Sequence, residues 1–244
     1  MPRRGMGRLV ALTAVVLWVG FATGCRSTAG EAPLGADGLA EAEAALGKPM
    51  SGDMAALYHL RIPSSQGLRL SIVQLGRAGR LTVSEPFGSM VSLVAWEDGG
   101  ETRLFDLRRG CRIQGGDLSS VLGVVALPLP QTARLLGGRL PATGGDRVSP
   151  TDDGRIEIIG ADWSAAVTVV GDPWRIVNVE GPTGAGDGAW RLRLKQHSGS
   201  VPGWLRVDSA DGRWAEMELI GLEWDTLSEL PPFPSLLECG GTAE

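Results

Sequence analysis

The chain has 244 residues, a formal net charge of −5 and 43% hydrophobic residues, enough for one β-rich domain or two small ones. An acidic balance argues against nucleic acid as a partner and against a polybasic grip on anionic lipid. Glycine stands at 36 residues, well above its usual share of about 7%, and the glycines fall between short apolar runs, where turns belong.

The N-terminus is laid out as an export signal. Arg3, Arg4 and Arg8 make a positive start, residues 9–21 an uncharged apolar run, and Ala22-Thr23-Gly24 a small-residue stretch fit for cleavage. The run is shorter than the roughly 20 apolar residues a membrane-spanning helix needs. Cys25 directly after Gly24 makes the segment like a lipobox, whose thiol receives diacylglycerol, although Ala22 stands where Leu is usual. The expectation is a signal peptide over 1–24, a lipidated Cys25, and a small polar tether over 25–36. Loss of 1–24 removes three arginines and no acid, which takes the charge from −5 to −8. Each buried CH₂ contributes about 0.8 kcal/mol, so an anchor of more than one acyl chain is stable. Arg26 follows the anchor, where an Asp would signal inner-membrane retention; the expected place is therefore the outer membrane, facing the periplasm.

Residues 37–48 read as a short helix with Asp37 as N-cap and acids in its first turns. From residue 55 the chain becomes strand-like. Strands are expected over 56–62, 67–75, 79–84, 89–97 and 102–107, then over 155–160, 164–171, 174–180, 188–196, 203–209 and 212–224. The clearest alternation sets Trp190, Leu192 and Leu194 against Arg191, Arg193 and Lys195, a strand with one apolar and one solvated face. Turn signals separate the runs: Asp98-Gly99-Gly100, Asp152-Asp153-Gly154, Gly171-Asp172-Pro173 and Asp211-Gly212.

Between the two series, 117–140 reads as two short amphipathic helices. The first is capped by Asp117 and carries Leu118, Val121 and Leu122; the second starts at Pro130, carries Ala133 and Leu136, and stops at Gly137-Gly138. Residues 227–244 look like a Pro-rich tail. The pattern over 37–226 predicts a mainly β domain, an antiparallel sheet folded as a sandwich or barrel. Besides Cys25, the cysteines are Cys111 and Cys239. In an oxidising compartment they can pair, or they remain two buried thiols.

Enzyme chemistry finds little support, and no cofactor or metal is expected. His59 lies in an expected strand and His197 at a strand end; no HExxH, paired CxxC or G-x-S-x-G occurs. Ser198 beside His197 does not make a nucleophile, because neighbours in a strand point to opposite faces. Residues 181–188 (GPTGAGDG) precede a strand and not a helix, so the helix N-terminus that binds phosphate is missing. They read as a hairpin loop. Asp152 and Asp153 lack the spacing of a calcium loop and read as turn residues.

The tryptophans are more informative. Trp96, Trp163, Trp174, Trp190, Trp204, Trp214 and Trp224 fall in or beside expected strands, either as core packing or as the wall of an apolar cavity. Met90, Val94 and Trp96 fall on one face of their strand, Val91 and Leu93 on the other. A sheet that buries both faces needs cover on each side, or an apolar ligand on one.

Three stretches in order resemble the LolB family of outer-membrane lipoprotein insertion factors. Residues 80–96 (RLTVSEPFGSMVSLVAW) match its strand, Pro–apolar–Gly turn and strand, here Pro86-Phe87-Gly88. Residues 118–146 resemble its two-helix segment, with the Leu-Gly, Pro-x-Pro and Leu-Pro landmarks. Residues 201–224 resemble its closing hairpin. The order and intervals hold from about residue 40 to 225. A related group of poorly characterised lipoproteins shares this LolA/LolB-like domain.

The resemblance implies an incompletely closed antiparallel barrel with an N-terminal helix and short helices as a lid over an apolar concave face. It implies binding of lipoprotein acyl chains, received from a LolA-like periplasmic carrier and released into the inner leaflet of the outer membrane. It also implies that Phe87 is an exposed, membrane-entering tip, held by Pro86 and Gly88. Expected acyl-binding wall residues are Leu81, Val83, Val91, Leu93, Trp190, Leu192 and Leu194, with Leu122 and Leu136 on the lid. The expected state is a monomer. The competing readings are a sensor or scaffold lipoprotein that binds a partner protein with the same half-barrel, and a carrier of phospholipid or glycolipid.

Overall fold

Among the described residues, fourteen strands join into a single sheet. In chain order the elements are α1 (Ala36–Leu46), β1 (Met54–Ile62), β2 (Ser65–Leu75), β3 (Ala78–Ser84), β4 (Met90–Trp96), β5 (Thr102–Asp106), β6 (Cys111–Ile113), α2 (Leu129–Leu136), β7 (Arg147–Pro150), β8 (Ile156–Ile159), β9 (Ser164–Val170), β10 (Arg175–Glu180), β11 (Trp190–Lys195), β12 (Trp204–Ser209), β13 (Trp214–Trp224) and β14 (Leu237–Glu238). The computed structural model describes residues 34–48, 52–97, 102–113, 127–171, 173–182, 188–230, 232 and 237–238. The expected signal peptide, Cys25, Leu122 with the first of the two expected helices, and Cys239 lie outside the described residues.

The spatial order is β14-β6-β5-β4-β3-β2-β1-β13-β12-β11-β10-β9-β8-β7. Two antiparallel meanders, β1–β6 and β7–β13, are therefore joined side by side through β1 and β13. The sheet does not close: β14 stands at one end of the order and β7 at the other. A twisted sheet of this width curls, and bulges within β1–β13, β3–β4 and β9–β10 sharpen the bend. The result is the expected mainly β, incompletely closed antiparallel barrel with short helices.

The concave face is built from cross-strand rows. One runs Leu104–Val94–Leu81–Ile72–Ala56 across β5 to β1. Another runs Leu68–Leu60–Met217–Leu205–Leu194 across β2, β1, β13, β12 and β11. Every member of both rows is buried, because period-two alternation puts i, i+2 and i+4 on one face and pairing lines them up across strands. α1 contributes Leu39, Ala42 and Leu46 to the same core, and α2 contributes Leu129, Ala133, Leu135 and Leu136.

Several local expectations are revised. Gly35, not Asp37, is the N-cap of α1; Asp37 sits inside the first turn, where its carboxylate still meets the positive helix end. α2 begins one residue before Pro130, with Pro128 at its N-cap. It ends in a Schellman motif: Arg139 N–H donates to the Arg134 carbonyl at 2.9 Å and Gly138 N–H to Leu135 at 3.0 Å, with Gly138 at φ +72°. The tail over 227–244 is not featureless, since Leu237–Glu238 adds a parallel strand to β6, with Leu237 opposite Cys111. Cys111 is disulfide-bonded, and its partner lies outside the described residues.

Candidate functional site: the concave face, its helical cover and the rim hairpin

The wall residues divide by strand parity. Leu81, Val83, Trp190, Leu192 and Leu194 are buried on the concave face, and Leu136 of α2 is buried with them. Val91 and Leu93 do not belong to that wall. Leu93 pairs with Thr82 and Phe105, one step out of phase with the Leu81–Val94–Leu104 row, so both point to the reverse face. Phe105 and Ala95 are buried on that reverse face, apart from the main core. Met90, expected beside Val94 and Trp96, pairs with Ser84 across a bulge and is 58% exposed.

The tryptophans split the same way. Trp96 and Trp190 are buried on the concave face, and Trp163 and Trp174 are partly buried against the core. Trp204 and Trp214 are half-buried on the convex face, where Lys195 and Arg206 lie over their rings at 5.3 and 5.0 Å. Trp224 is exposed at the end of β13.

α1 and α2 are tied to one another by arginines on carbonyl oxygens. Arg134 donates through Nε to Leu140 at 3.0 Å and through Nη2 to Gly47 at 3.2 Å and Lys48 at 3.4 Å. Arg139 donates to Ala45 at 3.1 Å, and Leu140 N–H donates to Leu46 at 3.0 Å. The Ala45, Leu46, Gly47 and Lys48 carbonyls are the last of α1 and those just after it, the negative end of the helix dipole, so the cations gain twice from the geometry. Burial, and then the neighbouring Arg139, lower the proton affinity of Arg134. Sequence reading missed this latch; its one signal is two arginines closing α2 with no acid near in sequence.

The hairpin between β3 and β4 projects from the rim. Gly88 N–H donates to the Glu85 carbonyl and Glu85 N–H to Ser89, both at 2.9 Å, and Gly88 stands at φ +90°. That is a tight turn with Pro86 and Phe87 at its two central positions and Gly88 in the following left-handed position. Phe87 is 98% exposed. Arg108 on the β5–β6 turn holds Glu85 at 2.6 Å, and Arg108 is itself placed by the Asp106 carboxylate accepting its N–H at 3.0 Å. The tip is thus a stiff loop that spends its apolar side chain on water.

The convex face is a solvated charge ladder. An open depression of about 530 Å³ there is lined by Val177, Asn178, Glu180, Arg191, Arg193, Leu194 and Lys195. Its cations are already engaged: Arg191 with Glu180 at 2.7 Å, Arg193 with Asp208 at 2.6 Å, Lys195 with Trp204. His59 is exposed on β1, and His197 donates from Nε2 to the Ile176 carbonyl at 2.8 Å, as a tie between the β11–β12 loop and β10. Asp153 bonds Thr151 and Arg155 within the β7–β8 turn. β10 and β11, on either side of the expected 181–188 loop, pair antiparallel, and residues 183–187 lie outside the described residues.

An open antiparallel half-barrel with helices packed into its concave face defines the class: this is the LolA/LolB-like fold. Among solved structures the chain is similar to a LolA superfamily protein from Nitrosomonas europaea, at 15% identity and a TM-score of 0.51, over 81% of this chain and 96% of that one. No family model matches the sequence, and no curated protein matches it.

Proposed function

We propose that the chain is an outer-membrane lipoprotein, anchored through Cys25, that receives the acyl chains of other lipoproteins from a LolA-like carrier on its concave face and releases them into the facing leaflet. The observation that carries this reading is Phe87: a fully exposed aromatic on a braced turn, at the rim of a sheet whose concave face is apolar row after row. Burying a Phe side chain contributes roughly 1.5–3 kcal/mol. That is too little to anchor a protein but enough to orient one already tethered by lipid, so that acyl chains pass from the concave face to the bilayer without crossing water. For chains to enter, the α1–α2 pair must shift from the face it now covers; it is held there by apolar side chains packed into the core, a reversible contact.

The test is native mass spectrometry of the protein after expression in a lipoprotein-processing host. Co-purified acylated species support the reading. A folded protein that never carries them favours the scaffold reading, which has one observation on its side: α1 and α2 already fill the concave face with side chains. Cys25→Ala should leave the protein unlipidated and water-soluble.

A further inference from the structure

The hairpin that carries Phe87 is flanked by cations. Over the whole chain acids outnumber bases, so attraction to an anionic surface can only be local. Residues 65–75, 81–93 and 104–111, which make this part of the rim, hold Arg69, Arg108 and Arg109 against Glu85 and Asp106. The arginines also reach further out than the acids. The Arg108 side chain is 62% exposed beside Glu85 at 42%, and Arg109 is 75% exposed beside Asp106 at 23%, with ion-pair distances of 2.6 and 3.4 Å. Arg69 is exposed and forms no ion pair among the described residues.

These cations stand at a set depth behind the tip. Arg69 pairs with Ser84 and Ser84 with Met90, so the three form one cross-strand row at the base of the hairpin. Ser84 comes three residues before Phe87, which puts the row within about 10 Å of the tip at roughly 3.3 Å per residue. β2 lies close against the turn: a Cβ added at Gly67 would stand 3.5 Å from Pro86 Cγ. Arg108 meets Glu85, two residues before Phe87. An amphipathic element on a bilayer sinks its apolar part about 5–10 Å into the boundary of headgroups and acyl chains. With Phe87 at that depth, Arg69 and Arg108 are level with the phosphates, and Arg109 is next to them in the β5–β6 turn. Met90, 58% exposed in the Arg69 row, meets the interface beside them.

We propose that this rim docks on an anionic phospholipid bilayer, with the guanidinium groups of Arg69, Arg108 and Arg109 on headgroup phosphates while Phe87 enters the hydrocarbon edge. The proposal rests on the reading of Phe87 above and adds the chemistry of the surface it enters. Guanidinium groups match phosphate oxygens with paired N–H donors. Glu85 and Asp106 hold Arg108 and Arg109 in place and leave most of each side chain open. A chain of net charge −5 with a local excess of cations turns that part toward an anionic surface and the rest away. A protein partner fits less well. A stable interface takes about 800 Å² from each side, which the point of a hairpin does not offer, whereas a bilayer admits a point.

The test uses the full-length lipidated protein with a nitroxide on Ser89→Cys, an exposed position in the turn. It is placed in vesicles of phosphatidylcholine alone or mixed equally with phosphatidylglycerol. Electron paramagnetic resonance reads the ratio of lipid-immersed to aqueous label. The ratio should be higher on the anionic vesicles and fall to the phosphatidylcholine value at about 0.5 M salt, where the screening length shortens to about 4 Å. A basic residue near such a surface contributes about fivefold. Arg69→Gln and Arg109→Gln should therefore each lower the ratio about fivefold on anionic vesicles and leave it unchanged on phosphatidylcholine. Both side chains are exposed, so the variants should keep the wild-type urea midpoint. An anionic preference undiminished in the double variant overturns the proposal and leaves Phe87 entry standing. Equal ratios on the two lipids do the same, and slower cargo uptake from a carrier protein by the double variant would then assign the arginines to a protein partner. A label that stays aqueous on both lipids overturns Phe87 entry itself.

Discussion

Trp96 lies across Gly79 on the neighbouring strand, so closely that a Cβ added at Gly79 would stand 2.6 Å from the ring's Cε2. Trp190 covers Gly181 in the same way across β10–β11. In both places a glycine in or beside a strand makes room for an indole that packs flat on the concave face. Gly79→Ala should lower stability by about 1–3 kcal/mol, the usual cost of overpacking a core, read as a fall in the urea midpoint. A smaller loss would mean that the ring can tilt away freely.

Phe87 is expected to serve release and not capture. Phe87→Glu should fold as the wild type does, because the side chain is 98% exposed and touches no core. It should still take up acyl cargo and lose roughly tenfold or more in delivery to liposomes, since a carboxylate resists hydrocarbon while the lost Phe contributed about 1.5–3 kcal/mol. Phe87→Leu should keep most activity. Delivery at the wild-type rate by the Glu variant would remove this residue from the mechanism.

Arg134 should control how firmly the helical cover stays shut. Arg134→Met retains the aliphatic stem but removes the donors to Leu140, Gly47 and Lys48. Charge-assisted bonds of this kind contribute about 1.5–3 kcal/mol. Amide exchange in α1 should speed up by at least about tenfold, with β1 and β13 left as protected as before. Unchanged exchange in α1 would show that apolar contacts alone hold the cover.

Cys111 should be found linked to Cys239. Cys111 is disulfide-bonded, Leu237 stands opposite it in the β6–β14 pairing, and Cys239 follows two residues later. Non-reducing peptide mapping should recover that pair. Linking the two encloses more than a hundred residues, for which chain entropy predicts about 4 kcal/mol or more. Reduction should therefore lower the urea midpoint, and recovery of both thiols free from native protein would refute the pairing.

His197 should make the protein less stable in mild acid. Burial holds its ring below the ordinary range; the hydrogen bond to the Ile176 carbonyl pulls the other way, and nearby Arg175 lowers it again. The unfolded chain then binds a proton that the folded chain does not. The contribution is complete above the unfolded value of about 6.5 and is lost as pH falls through the lower folded value. The urea midpoint should drop between about pH 7 and pH 5.5, and His197→Gln should flatten that slope. A variant with the wild-type slope would place the titrating group elsewhere.

Much of the sheet was legible from residue order. The strands seen agree within a residue or two with the expected runs from 56 to 107 and from 155 to 224, because period-two alternation and Asp-Gly turns are local signals. The 86–88 tip was legible for the same reason: Pro, Phe and Gly between two apolar runs permit few other backbones. β6, β7 and β14 were not, since two to four residues carry too little periodicity to read. The face of Val91 and Leu93 was misjudged because both neighbours of a doubly apolar strand look equally inward until pairing sets the phase.

By itself, then, residue order determined the elements and the side chains each strand must turn one way together. Those properties depend on neighbours two to four positions apart. Tertiary structure alone decided which face is concave, that Arg134 and Arg139 meet the end of α1, that Trp96 lies on Gly79, and that the Tyr58 hydroxyl and Gln74 Oε1 are shut in without partners. Each of these joins segments distant in sequence, the arginines by hydrogen bonds to the last carbonyls of α1 and the others through the register of strand pairs, where a shift of one residue would turn every side chain on that strand to the other face.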